Sequence, residues 1–299
     1  KNYINILFVS GDKIGFKISK KRVEDMGFKL KYLPVNIREK WLDKKFGLKN
    51  CIYMGDGIFD HLIMKKVYMN KFFYPLIENP YSNKDIHEGI RVLKSKQLTL
   101  SKETLKFEKS FTKKLNSDYS LMVNSGSSAN LLALQCLINP YRKNRLKAGD
   151  EIIIPTLCWS TSLWPIIQSN LKPVFVDINK NTLNIDEKSI EKKITKKTKA
   201  IMLVHVLGNT CNMDAIMRIK KKYNLFLIED TCESLGTKYK KQYLGTFGEF
   251  SSFSFYSSHQ ISSGEGGMIC CKDTNDFNII KSLRSHGWSR GTSYENKIY

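Results

Sequence analysis

FSFYSSHQISSGEGGM (residues 253–268) runs from an apolar, strand-like segment into a glycine-rich turn, with His259 between the two. Glycine allows close backbone approach, and imidazole is the side chain that exchanges a proton near neutral pH. The segments upstream set the fold in which this stretch sits. EIIIP (151–155), KPVFVDI (172–178), AIMLVHVLG (200–208) and LFLIED (225–230) are short apolar runs, rich in β-branched residues and closed by turn or acidic residues. Between them lie helical patterns such as ANLLALQCLI (129–138) and MDAIMRIKKKY (213–223). The alternation predicts an α/β fold with a mostly parallel sheet flanked by helices. Ligands of such sheets bind beyond the carboxyl ends of the strands, so the polar residues there are the functional candidates.

NSGSSANLLAL (124–134) places a small-residue turn directly before a helix. Free N–H groups at a helix start favour phosphate, and the same pattern also serves as an ordinary cap through Ser127 or Ser128. Trp159, in PTLCWSTS after strand EIIIP, suits either stacking on a flat ring or burial in the core. Asp230 closes the strand LFLIED, and Glu233 follows in EDTCESLG (229–236) as either a site contact or a solvated acid. Ser254 lies five residues before His259, and GEGG (264–267) follows it.

Taken in order, these motifs resemble the DegT/DnrJ/EryC1/StrS sugar aminotransferase family across residues 72–299. The resemblance implies the large domain of a type I PLP-dependent transferase, with most of the C-terminal small domain missing. It assigns Gly126, Ser127 and Ser254 to the phosphate of pyridoxal phosphate (PLP), and Trp159 to its ring face. Asp230 would pair with the pyridinium nitrogen and make the ring an electron sink, with Glu233 nearby. The family's cofactor-linking lysine is replaced here by His259, as in the family's 3-dehydratase branch. That branch implies noncovalent PLP or pyridoxamine phosphate (PMP), L-glutamate as amine source, and a nucleotide-linked 4-keto-6-deoxyhexose that loses its 3-hydroxyl. His259 would act as general base and then acid. The family also implies a homodimer. One sort of 3-dehydratase carries an iron–sulfur cluster. Cys232 matches its first cysteine, but Arg290 and Thr292 stand where the next two belong, so the cluster-free sort is expected. Two alternatives stay open: an aminotransferase using a different lysine, and a noncatalytic remnant.

Residues 1–71 carry a separate pattern. YINILFVSGD (3–12) and CIYMGDGIFD (51–60) read as strands ending in polar or acidic turns. They resemble the C-terminal half of a Rossmann-like haloacid-dehalogenase (HAD) phosphatase domain. The resemblance assigns Ser10 to phosphate and Asp56 and Asp60 to Mg²⁺. The family's nucleophilic DxD motif is not in these residues, so a remnant is expected and Mg²⁺ only if the unit is complete. The join falls near residues 68–80, where FFYPLIENPYS is punctuated by two prolines.

The net charge of +21 is mostly lysine, dispersed along the 299 residues without a dense block. Neither nucleic acid nor membrane is therefore an expected partner, although a basic surface suits a diphosphate-bearing substrate. Seven cysteines without a CxxC pair argue against a disulfide framework. The apolar run INILFV is too short for a membrane span, so a cytoplasmic protein is expected. The chain starts at Lys1 and stops at Tyr299 without a closing element, and both ends read as fragment boundaries.

Overall fold

The computed structural model describes residues 8–10, 30–32, 35–46 and 80–295. The chain divides into two compact units, Lys1–Glu78 and Asn79–Tyr299. In the first, strand β1 (Phe8–Ser10) pairs in parallel with β2 (Leu30–Tyr32), and helix α1 (Val35–Phe46) follows. Ser10 is the last residue of β1. Asp56 and Asp60 lie outside the described residues, as does most of the expected join.

The second unit opens with two amphipathic helices, α2 (Asn83–Ser95) and α3 (Lys102–Leu115). A capping box starts α2: the Ser82 side chain accepts the Asp85 N–H, and the Asp85 carboxylate accepts the Ser82 N–H. The alternating part follows as β3 (Tyr119–Val123), α4 (Gly126–Leu137), β4 (Glu151–Pro155), α5 (Ser160–Gln168), β5 (Lys172–Val176), the short α6 (Glu187–Ile190), β6 (Thr198–Val204), α7 (Met213–Tyr223) and β7 (Phe226–Asp230). A small hairpin of β8 (Lys238–Tyr239) and β9 (Gln242–Tyr243) leads to β10 (Phe250–Ser254), β11 (Gly267–Cys271) and α8 (Thr274–Arg284).

Seven strands form one sheet in the order β3-β11-β10-β7-β6-β4-β5. Strand β11 runs antiparallel to both its neighbours; the other pairings are parallel. Both faces of the sheet are covered, which explains why EIIIP is continuously apolar rather than alternating. Ile152 and Ile154 pack with α4, α5 and α8 residues such as Leu134, Ile166 and Ile280. Ile153 turns the other way, against Ile216 and Ile219 of α7. Ala200 and Met202 divide from Ile201 and Leu203 in the same period of two. Each fully buried isoleucine contributes roughly 1.5–3 kcal/mol. A third cluster joins α3 to the sheet through Phe111, Phe253 and Phe255, with Phe111 edge-on to Phe253 at 5.0 Å between centroids. Among the described residues no helix is long and apolar enough to cross a membrane.

Candidate functional site

The parallel direction brings the ends of five strands, at Val123, Pro155, Val204, Asp230 and Ser254, to one edge of the sheet. Register fixes their neighbours: Val123 and Ser254 both face Gly267 across β11, while Asp230 faces Ser252 and Val204. Every candidate from residue 126 to 259 therefore sits at this carboxyl end.

Helix α4 starts there. Its cap is Ser125, whose hydroxyl accepts the Ser128 N–H at 3.1 Å. This corrects the expected cap at Ser127 or Ser128: Ser125 is the residue with extended backbone, so its side chain can fold back over the first turn. The N–H groups of Gly126 and Ser127 open the helix, where backbone donors have no intrahelical acceptor. The turn is packed too tightly for side chains. A Cβ on Gly126 would lie 2.5 Å from Cys232 Sγ and 2.9 Å from Ser254 Cβ, and one on Gly267 would lie 2.3 Å from the Ser125 carbonyl carbon. The Ser127 hydroxyl donates to Thr161 Oγ1 at 2.9 Å, tying α4 to α5. Ser254 is buried beside the turn, its Oγ accepting the Tyr256 N–H at 3.3 Å.

Asp230 is buried at the end of β7. Its Oδ2 accepts from Ser162 Oγ at 2.7 Å and from Asn130 Nδ2 at 2.8 Å, while Oδ1 accepts only the Cys232 N–H at 3.2 Å. Two side chains thus fix one oxygen and leave the other turned to a further donor. Neither Asn130 nor Ser162 stood out in the sequence. Asn130 falls one helical turn after Gly126, and Ser162 lies in the first turn of the helix that Trp159 caps. A polar residue one turn inside each helix facing a strand end was the available signal. The Asn130 Oδ1 atom is buried without a partner.

The neighbouring Glu229 braces this strand end from below. It is fully buried and accepts N–H bonds from Gly245, Phe247 and Gly248 at 2.9, 2.8 and 2.8 Å. His205, also fully buried, takes the Cys211 N–H on Nδ1, which leaves Nε2 to donate to Glu229 at 3.3 Å.

His259 is half-buried in the turn after β10, its N–H donating to the Tyr256 carbonyl at 3.0 Å. Burial holds its pKa below the ordinary imidazole value, opposed by the carboxylates of Glu233 and Asp230. Glu233 is therefore more than a solvated acid. Its Oε2 accepts the Leu207 N–H at 2.6 Å, and its backbone carbonyl accepts from Gln260, the residue after His259, at 2.6 Å. Leu207 has φ +52°, a conformation costing a non-glycine residue roughly 1–2 kcal/mol, with Gly208 at +79° completing the turn. Trp159 is 71% exposed and caps α5, so the core alternative for this residue is excluded.

Cys232 is packed against the Gly126 turn, its Sγ 3.8 Å from Ser252 Oγ, and burial together with Asp230 pushes its pKa well up. Arg290 is exposed and Thr292 buried, in the turns after α8. Among the described residues, no three His, Cys, Asp or Glu converge as metal ligands.

The donor set fits PLP. An anion suits the open N–H groups of α4 beside Ser254, a cationic ring nitrogen suits the open oxygen of Asp230, and a flat ring suits exposed Trp159.

The DegT/DnrJ/EryC1/StrS aminotransferase family model matches residues 81–299. The chain is 38% identical over 235 residues to GDP-4-keto-6-deoxy-D-mannose 3-dehydratase of Yersinia pseudotuberculosis, covering 79% of this chain and 59% of that protein. Its fold is similar to the solved E. coli GDP-4-keto-6-deoxy-D-mannose-3-dehydratase with bound hydrated PLP, with TM-score 0.70, 41% identity, and coverage of 73% of this chain and 56% of the other. A second solved GDP-4-keto-6-deoxymannose-3-dehydratase, holding a trapped PLP-glutamate geminal diamine, matches with TM-score 0.70 and 40% identity over 73% of this chain and 56% of the other. The chain thus spans little more than half the length of these relatives.

Proposed function

Since the chain belongs to the DegT/DnrJ/EryC1/StrS aminotransferase family, we propose that the whole protein removes the 3-hydroxyl from a nucleotide-linked 4-keto-6-deoxyhexose. The GDP-linked sugar named in its relatives is the first substrate to test. The observation that carries the reading is His259: a half-buried imidazole, beside Glu233 and Asp230, at the carboxyl end of the sheet where the family places a lysine.

Gly126, Ser127 and Ser254 would hold the cofactor phosphate through backbone N–H groups and a hydroxyl. Trp159 would cover the ring. Asp230, held in place by Ser162 and Asn130 on Oδ2, would pair with the ring nitrogen. Bound there, PLP supplies an electron sink and, as PMP made from L-glutamate, the amine that engages the substrate ketone. His259 cannot hold the cofactor covalently, so the cofactor is bound only by these contacts. With its pKa lowered by burial, the imidazole is neutral near pH 7 and takes a proton at Nδ1 or Nε2. The imidazolium that forms is stabilised by the two carboxylates and returns its proton to the departing hydroxyl. Glu233 positions this pair by bridging the Leu207 turn and the His259 turn.

On this reading residues 72–299 form the cofactor-binding large domain, residues 1–71 a HAD-like remnant, and the complete protein is a cytoplasmic homodimer. The test is mass spectrometry of the product after incubating full-length protein with PLP, L-glutamate and GDP-4-keto-6-deoxymannose. Loss of one oxygen supports the assignment. Conversion of the carbonyl to an amine refutes it.

A further inference from the structure

The lysines that look dispersed along the sequence are gathered by topology. In a parallel sheet every strand-entry loop lies at the same end, opposite the site. EKKITKKTK (191–199) enters β6, KKK (220–222) precedes β7, and Lys147, Lys172 and Lys272 flank the same ends of β4, β5 and β11. These loops touch. The Lys197 carbonyl accepts the Glu151 N–H at 2.8 Å, Asp150 O accepts the Lys172 N–H at 2.9 Å, and Lys222 reaches Glu191 at 2.9 Å. Acids offset part of the charge: Glu249 pairs with Lys220 at 2.6 Å and Glu191 with Lys222 at 2.9 Å. Glu191 is the one acid in the two runs, and Glu151 is engaged by the hydroxyls of Thr195 and Thr198. The carboxyl end is the reverse: residues 124–130, 156–164, 205–213 and 255–264 contain no Lys, Arg, Asp or Glu.

We propose that this amino-end face docks the protein on an anionic lipid bilayer. The charge comes from separate segments at one end of the sheet, among them the last turn of α7, so it forms a broad field rather than a groove. It is carried by hydrated, flexible ammonium groups rather than the planar guanidinium forks used to grip individual phosphates. Duplex readers insert a helix or ribbon into a groove, and single-strand binders offer stacking aromatics. The longer run, 191–199, leads into β6 and has no aromatic residue, whereas 220–222 closes helix α7, where Lys222 Nζ covers the ring of the adjacent Tyr223 at 5.0 Å from its centroid rather than leaving it open for stacking. An anionic leaflet attracts such a face additively per basic residue, over a Debye length. Docked this way, the carboxyl end faces away from the bilayer and stays open to dissolved substrate.

The test is co-sedimentation of the full chain with vesicles of phosphatidylcholine alone or mixed with phosphatidylglycerol. Two charge-matched variants are compared: K192Q/K193Q/K196Q in the basic face, and K238Q/K240Q/K241Q on the β8–β9 hairpin. The protein is expected to bind only the anionic vesicles. The first variant should lower the bound fraction at least about tenfold, and the second should leave it within about twofold. Equal losses in both variants, no binding to anionic vesicles, or preferential transfer to an added DNA duplex would each overturn the proposal.

Discussion

The two ends of the same sheet handle polar groups in opposite ways. At the carboxyl end they turn inward: Asp230, Asn130, Ser162, Ser254 and Glu229 are buried and bonded to one another or to backbone. At the amino end exposed lysines predominate, some of them held in ion pairs such as Lys220–Glu249 and Lys222–Glu191, around the largely buried Arg142–Asp276 pair. An inward network is costly to break, because each buried group left unpaired loses its solvation without recompense. An outward charge is cheap to lose and acts at a distance. Substitutions at the first end should therefore change chemistry and cofactor binding, while those at the second should leave both intact.

The largest effect is expected at His259. His259→Asn keeps a side chain of similar size and polarity but removes the proton carrier, so turnover should fall by about 10²–10⁴-fold with PLP affinity nearly unchanged. Steady-state kinetics beside a PLP titration separate the two. Gly126→Ala should come next. Its methyl would sit 2.5 Å from Cys232 Sγ, and such overpacking typically costs about 1–3 kcal/mol. Thermal melts should show the loss, and PLP uptake should fall with it if the displaced turn carries the phosphate donors as proposed.

Ser162→Ala tests the inward network more gently. It leaves Oδ2 of Asp230 with Asn130 as its side-chain donor, a loss worth about 1–3 kcal/mol for a hydrogen bond to a charged group. A weaker PLP affinity is expected, read by absorbance titration; unchanged affinity would show that Asn130 alone positions the carboxylate. The smallest effect is expected in the pH profile. Burial lowers the His259 pKa, so the neutral base persists below the ordinary imidazole range and the acid limb of kcat should fall there. Glu233→Gln removes a carboxylate that favours imidazolium, so that limb should move to lower pH still. A shift to higher pH would mean that Glu233 acts through packing and not through charge.

The contrast also explains what the sequence could tell. The candidate site was legible because each of its pieces is local: a strand end, a turn and a helix start lie within a few residues at Gly126, Trp159, Asp230 and His259. The strand and helix pattern of residues 118–230 was legible for the same reason, since period-two and period-3.6 burial are local signals. The residues that hold Asp230 were not. Asn130 and Ser162 lie 100 and 68 positions from it, and only the packing of α4 and α5 across the sheet brings them together. The cap at Ser125 was missed because three serines flank Gly126 and backbone angles, not composition, decide among them. The basic face escaped notice since its lysines are distant in sequence and adjacent only through parallel topology.

The central claim is that His259 stands where a lysine would hold the cofactor, leaving PLP bound without a covalent link. Borohydride reduction of the PLP-loaded chain, followed by denaturation and intact-mass measurement, tests it most directly. PLP uptake seen by absorbance before treatment, with an unmodified chain mass afterwards, is the expected result. A chain heavier by one pyridoxyl group, located on any lysine, would contradict the account.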